Sequence, residues 1–188
     1  MGKVLIFSAP SGSGKTTIVK HLLKRFPELE FSISATSRAP RGEERDGVDY
    51  YFMDAVEFMT RVEEGEFVEW EEVYKGTCYG TLRAEIDRIW DRGHVVVFDV
   101  DVVGALNIKK LFGDQALSIF IMPPSVAELR VRLEGRGTDS PEAIERRLAK
   151  AEQEIAYADR FDRVIVNDDL ETAYAEAARV VGDFLGAQ

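Results

Sequence analysis

Ala9-Pro10-Ser11-Gly12-Ser13-Gly14-Lys15-Thr16 lies between a short apolar run, Val4–Phe7, and a stretch, Lys15–Phe26, where Ile18, Val19, Leu22 and Leu23 recur at helical spacing. Strand, glycine-rich loop and helix in that order match the phosphate-cradling pattern G-x-x-x-x-G-K-[ST]. Its first position holds Ala9 rather than glycine, one extra methyl group that matters only where the backbone needs glycine angles. Gly12 and Gly14 let successive N–H groups turn inward on phosphate oxygens, and the helix N-terminus adds its dipole. Lys15 can reach the outer phosphates of a nucleoside triphosphate, and the Thr16 hydroxyl can ligate Mg²⁺. A glycine-rich turn into an ordinary helix is the alternative. Lysine and threonine at these offsets, in this setting, favour phosphate binding.

Further along, Val95–Phe98 is a continuous apolar run that ends in Asp99, and Leu117–Met122 and Val164–Val166 are two more. Continuous apolar strands separated by helical stretches are the mark of a parallel sheet covered on both faces, so the fold class is α/β. The expected helices are Leu82–Arg92, Val102–Leu111, Ser125–Leu133, Ser140–Tyr157 and Leu170–Leu185. Ser125 with Glu128 fits a capping box, and Ser140-Pro141 a cap followed by proline at the first helical position. Asp99 stands at the carboxyl end of a buried strand, where ligands bind in such sheets, and an aspartate there can hold Mg²⁺ through water. A helix-capping aspartate is the other reading.

The segment near 34–81 breaks the alternation. Phe31–Thr36 looks extended. Residues 37–50 carry Arg38, Arg41 and Arg45 with Pro40, Gly42 and Gly47 and read as loop or hairpin. Asp54–Glu64 reads as a short helix with Asp54 and Glu57 as a cap pair, and Glu63 to Glu72 is rich in acid.

At 188 residues the chain suits one domain. Its net charge of −10 argues against non-specific binding to nucleic acid or anionic membranes, but a few local arginines can still hold a small anion. The single cysteine, Cys78, cannot make an internal disulfide and reads as passive. No apolar run approaches the roughly 20 residues of a membrane helix, and the start of the chain does not resemble a signal peptide. The expected location is the cytoplasm. Oligomeric state is left open.

Several stretches resemble the guanylate kinase family in sequence and in order. They are Phe31-Ser32-Ile33-Ser34-Ala35-Thr36-Ser37-Arg38-Ala39-Pro40-Arg41, Asp46-Gly47-Val48-Asp49-Tyr50-Tyr51-Phe52, Phe67-Val68-Glu69-Trp70, Tyr79-Gly80-Thr81, Phe98-Asp99-Val100-Asp101, Pro123-Pro124-Ser125, Arg132-Leu133-Glu134-Gly135-Arg136-Gly137-Thr138 and Val166-Asn167-Asp168-Asp169. The resemblance covers essentially the whole chain. It implies a P-loop NTPase-type parallel sheet flanked by helices, core about 1–33 and 82–188. A nucleoside-monophosphate-binding insertion would span about 34–81 and a lid about 124–150. The implied reaction is ATP + GMP → ADP + GDP with Mg²⁺, and acceptance of dGMP is left open.

Carried residue by residue, the resemblance implies that Ser34, Arg38, Arg41, Tyr50 and Tyr79 hold the GMP phosphate and that Glu69, Thr81 and Asp101 read guanine. Arginine suits a phosphate because its planar fork can grip two oxygens. A carboxylate suits guanine because N1–H and the N2 amine are both donors, whereas adenine offers an acceptor at N1. Ala9, Pro10, Ser11, Gly12, Ser13, Gly14, Lys15, Thr16 and Thr17 are the expected ATP-binding residues, with Arg132, Arg136 and Asn167 beside them and Asp168 near the adenine. Thr16 and Asp99 are the expected metal ligands; Lys15, Arg38, Arg136 and Arg147 are the expected catalytic residues. Arg130 and Arg146 read as surface charges paired with nearby glutamates. Between Glu69 and Tyr79 the chain has one residue more than many family members, read as a longer turn around Lys75-Gly76. Two rival readings remain: another small phosphate-loop kinase with a different acceptor, and a scaffold-type module that binds partner peptides without catalysis. Lys15, Thr16 and the arginines argue against the second, the guanine-reading set against the first.

Overall fold

Val4–Phe7 extends by one residue into β1 (Val4–Ser8), the middle strand of a five-stranded sheet. The computed structural model describes residues 2–135, 137 and 140–186, the Tyr74 side chain excepted. The sheet comprises β2 (Leu29–Phe31), β7 (Val95–Asp99), β1, β8 (Ala116–Met122) and β9 (Arg163–Val166), in that spatial order and all parallel. The continuous apolar character of β1 follows from its position. Leu5 and Phe7 pack against α1 (Lys15–Arg25) and α7 (Leu170–Gly186), while Val4 and Ile6 pack against α3 (Arg83–Trp90) and α4 (Val102–Phe112). Side chains alternate faces along a strand, so a strand covered on both sides is apolar at successive positions, here from Val4 to Phe7 before Ser8 ends it. No described helix is long and apolar enough to cross a membrane.

Two further clusters stand apart from this core. In the first, α5 (Val126–Gly135) and α6 (Pro141–Ile155) close on each other through Leu129, Leu133, Ile144, Leu148 and Ala151. Both helices start at serines: Ser125 Oγ accepts from the Glu128 N–H at 3.0 Å, and Ser140 Oγ from the Ala143 N–H at 3.3 Å, with Pro141 opening the helix. The second belongs to residues 35–82. There β3 (Ala35–Thr36), β4 (Tyr51–Phe52), β5 (Phe67–Tyr74) and β6 (Thr77–Leu82) form a sheet in the order β4-β3-β6-β5. Helix α2 (Ala55–Glu63) covers it, and Ala35, Phe58, Phe67, Cys78 and Leu82 are its core. Asp54 caps α2 by accepting from the Glu57 N–H at 2.8 Å, whereas the Glu57 carboxylate pairs with Arg61 instead of reaching back.

Three local expectations change. Phe31–Thr36 is not one strand. The Ser32 N–H still donates to Val97 of the large sheet, the Ile33 N–H turns to the Glu85 carboxylate, and Ala35 begins the small sheet. The acidic run hides β5, whose glutamates at 69 and 71 face a cavity rather than solvent. The expected longer turn is a two-residue turn, Lys75-Gly76. The surplus is taken up by a bulge at Val73, since Glu72 opposes Cys78 while Tyr74 opposes Thr77.

Glu85, on α3, ties the small sheet to the large one. It is buried, accepts from the Ile33 N–H at 2.9 Å and the Tyr51 hydroxyl at 2.8 Å, and pairs with Arg88 at 2.8 Å. Burial opposes its charge, but the Arg88 guanidinium and these two donors hold the carboxyl below its ordinary value. Glu85→Ala leaves the Ile33 N–H and the Tyr51 hydroxyl unmatched, while Arg88 keeps Glu30 as a partner, and is expected to cost about 3 kcal/mol in urea unfolding. A group with a lowered native pKa contributes its stability above the ordinary carboxylate range and loses it as pH falls through the native value. The gap between native and Glu85→Ala protein is therefore expected to narrow on acidification; a pH-independent gap would mean that volume, not charge, is what Glu85 supplies.

Candidate active site

The loop between β1 and α1 closes on itself through the Ser13 N–H, which donates to the Pro10 carbonyl at 3.1 Å. Gly12 and Gly14 take φ of 98° and 90°, angles that L side chains avoid. A side chain at either would also meet neighbours, Leu129 at Gly12 and the Asn167 amide at Gly14. No residue other than glycine takes a positive φ among those described, so Ala9 sits without strain where the usual pattern has glycine. Asn167 is buried beneath the loop, and its amide donates to the Ser13 carbonyl at 2.8 Å. Arg132 in turn donates to the Asn167 carbonyl at 3.0 Å and pairs with Glu128. The structure thus puts these two residues behind the loop, as its support, while Asp168 is exposed.

In front of the loop is a cavity of about 420 Å³ lined by Ala9, Pro10, Ser11, Gly12, Gly14, Lys15, Thr16 and Thr17. Asp99, Val100, Asp101, Arg147, Lys150 and Glu154 complete its wall, and Ser13 is buried behind it. Lys15 forms an ion pair with Asp99 across the mouth. The Arg147 guanidinium, on α6, donates to the Ser11 hydroxyl at 3.0 Å and so brings the helical arm onto the loop. Arg130 pairs with Glu145 and Glu134 on the arm's surface. Arg136 lies outside the described residues. The Thr16 hydroxyl and the Asp99 carboxylate are oxygen donors, which suit Mg²⁺, an ion that takes few protein ligands and fills its shell with water and phosphate oxygens.

A second cavity, about 350 Å³, opens between the large sheet and the small one. Ser34, Tyr50, Glu69, Glu71, Tyr79, Gly104, Asp99, Val100 and Asp101 line it, with Lys150 from α6. Glu69 and Glu71 share a face of β5 because they are two residues apart. Glu69 Oε1 accepts from the Thr81 hydroxyl at 2.9 Å, and Thr81 itself is buried behind it. Burial pushes the Glu69 carboxyl up, the Thr81 bond pulls it back, and Asp101 adds to the rise. Asp101 caps α4 by accepting from the Gly104 N–H at 2.7 Å. A hydrogen bond to Asp101, with burial adding, pushes the Glu71 carboxyl up to about 7. Asp101 is held low although burial opposes its charge, because Glu71 and the α4 N–H groups bond to it.

Arg38 adjoins this cavity through Tyr50 and Tyr79, and neither it nor Arg41 is among the lining residues. The Arg38 guanidinium lies 5.0 Å from the Tyr50 ring centre, donates to the Tyr79 hydroxyl at 3.0 Å, and forks onto Glu44 with bonds of 2.7 and 2.8 Å. The fork lowers the Glu44 carboxyl to about 2, with the Arg41 N–H donating to the same group. The side chain of Arg41 is exposed. Cys78 is buried in the small core, where burial raises its thiol, as a passive cysteine requires.

The two cavities share Asp99, Val100, Asp101 and Lys150. One group held by the phosphate loop and another held near Glu69 would meet over the end of β7. Ser34, Tyr50, Glu69, Tyr79 and Asp101 are brought together as expected around one space, and the loop residues with Thr16, Asp99 and Arg147 around the other. Glu44, Glu71, Gly104, Lys150 and Glu154 were not anticipated. Glu71 carried a signal, the two-residue spacing from Glu69; Lys150 carried another, three residues beyond Arg147 on the same helical face. Glu44 and Gly104 carried none without a three-dimensional neighbour.

Comparison with known proteins finds similarity along nearly the whole chain. The family model described as guanylate kinase matches residues 1–183. A guanylate kinase of Bacteroides thetaiotaomicron is 58% identical over 187 residues, covering 100% of this chain and 92% of that protein. One from Porphyromonas gingivalis is 55% identical, covering 98% and 99%. Among solved structures, the crystal structure of guanylate kinase from Anaplasma phagocytophilum aligns with a TM-score of 0.75 at 33% identity, over 97% of this chain and 85% of that one.

Proposed function

This chain belongs to the guanylate kinase family and transfers a phosphoryl group from ATP to GMP, and on that premise we propose how its residues divide the work. The observation that carries the division is the shared wall: two cavities, one at the phosphate loop and one at Glu69, meet at Asp99, Val100, Asp101 and Lys150. On this reading the loop cavity takes ATP and the second takes GMP.

On the donor side, the loop N–H groups and Lys15 hold the phosphates, and Arg147 supplies charge where the moving group passes. Asn167 and Arg132 keep the loop in shape from behind. Thr16 and Asp99 would hold Mg²⁺, which would offset the charge of the phosphate oxygens. Arg136 is proposed as a second arm cation from the family resemblance alone.

On the acceptor side, Ser34, Tyr50, Tyr79, Arg38 and Arg41 receive the phosphate. Glu44 holds the Arg38 fork in the plane that a phosphate would need, and the incoming phosphate takes over from it. Glu69 accepts from guanine N1–H and N2–H, with Thr81 fixing one of its oxygens, and Asp101 accepts a further donor. Two bound donors would also favour the ionised form of Glu69 over the protonated form that burial promotes. No general base is needed, because the acceptor phosphate is already an anionic nucleophile. The proposed location is the cytoplasm, where both nucleotides are available.

A coupled assay of ADP release with ATP and each of GMP, AMP, CMP and UMP tests the acceptor. GMP is expected to exceed the others in kcat/KM by about 10² or more, the scale set by leaving buried polar groups unpaired. Equal rates with AMP would overturn the assignment of the second cavity.

A further inference from the structure

Four carboxylates line the acceptor cavity, Glu69, Glu71, Asp99 and Asp101, and the cation among its described lining residues is Lys150. The substrate assigned to that cavity, on the reading above and on which this inference rests, is itself an anion. Such a lining opposes it unless something offsets the charge. Asp99 has Lys15 as its partner, and Glu69 is hydrogen-bonded by Thr81. Glu71 and Asp101 bond to each other, which brings two acids together rather than neutralising either. Even with one shared proton the pair keeps a negative charge.

Lys150 is placed to balance that charge. It stands on α6 one turn beyond Arg147, which is fastened to Ser11 of the phosphate loop, so its position over the cavity is set by an anchored helix. Its ammonium is 3.7 Å from Glu154 of the same helix and acts electrostatically on both Glu71 and Asp101. Neither Glu71 nor Lys150 is among the residues that the family resemblance assigns. They come from different elements, β5 and α6, and both line the acceptor cavity, while Lys150 lines the donor cavity as well.

We propose that Lys150 is a positioning residue for the acceptor nucleotide: it offsets the Glu71–Asp101 carboxyl pair, and Glu71 is the group through which it acts. Loss of Lys150 leaves the carboxyl pair unbalanced where an anionic substrate must enter. Removing the charge of Glu71 as well removes the need for Lys150.

The test is steady-state kinetics on Lys150→Met, Lys150→Arg and the double variant Lys150→Met with Glu71→Gln, with thermal midpoints measured alongside. Lys150→Met is expected to raise the KM for GMP about tenfold, the effect of one unbalanced charge near a partly solvated site, with kcat and the KM for ATP changed less than about threefold. Lys150→Arg is expected to stay near native values. Adding Glu71→Gln to Lys150→Met is expected to bring the KM for GMP back to within about threefold of native. An unchanged KM in Lys150→Met overturns the proposal. So does a raised KM for ATP that Glu71→Gln does not relieve, which would mean that Lys150 serves the donor directly. Glu69→Gln is run beside them. If Glu69→Gln leaves the KM for GMP unchanged, the assignment of the cavity falls and this inference with it. If Glu69→Gln raises it and Lys150→Met does not, the Lys150 inference alone falls.

Discussion

Lys15→Met is expected to lower kcat by about 10³-fold or more while the affinity for GMP falls by no more than about tenfold, the effect of one unbalanced carboxylate. Lys15 lies at the start of α1, lines the donor cavity and does not line the acceptor one. Its ammonium is the loop's own charge for the phosphate oxygens, and methionine keeps the length of the stem but offers neither charge nor donor. The substitution also releases Asp99 from its ion pair, so part of the loss reflects a freed carboxylate at the transfer point. Calorimetric titration of GMP into the variant, with a coupled assay for turnover, separates the two cavities. Loss of GMP binding in the same measure as turnover would show that the division of cavities is wrong.

Glu69→Gln is expected to reduce kcat/KM for GMP by about 10²- to 10³-fold, because a donor amide then faces donors and leaves buried groups unpaired. The side chain is nearly isosteric, so the fold is little disturbed. Thr81 still has an amide oxygen to donate to, and ATP binds in the other cavity. The KM for ATP is expected to move less than about threefold, since contacts in separate sites are close to independent. An equal loss for both nucleotides would remove Glu69 from base recognition.

Much of this molecule can be read from local chemistry. The phosphate loop, the serine caps of α5 and α6 and the apolar runs of β1, β7 and β8 each depend on neighbours in sequence, and each is found where its residues point. The small sheet was far less legible. β3 and β4 are two residues long, and β5 carries glutamates on its inner face, so neither alternation nor composition marks them as strands. The split between β2 and β3 depends on Glu85, fifty-two residues beyond Ile33, whose carboxylate takes the N–H that would otherwise continue a ladder. The same limit applies to the site. Arg38 and Glu69 belong to recognisable motifs, but the fork of Arg38 on Glu44 and the meeting of Glu71 with Asp101 across two elements arise only on folding. Asn167 could be connected with the nucleotide from its motif, but its bond to the Ser13 carbonyl needed coordinates.

The separate apolar cores of the large sheet, the small sheet and the α5–α6 arm have a consequence for how such a chain can change by descent. Substitutions that repack Phe58 or Phe67 leave Leu5, Phe7 and Ile18 untouched, so a lineage can experiment with the nucleobase it accepts without endangering the machinery that handles its phosphate donor. The freedom ends at Asp99, Val100 and Asp101. Those three neighbours serve both cavities at once, and selection on either substrate constrains them for the sake of the other.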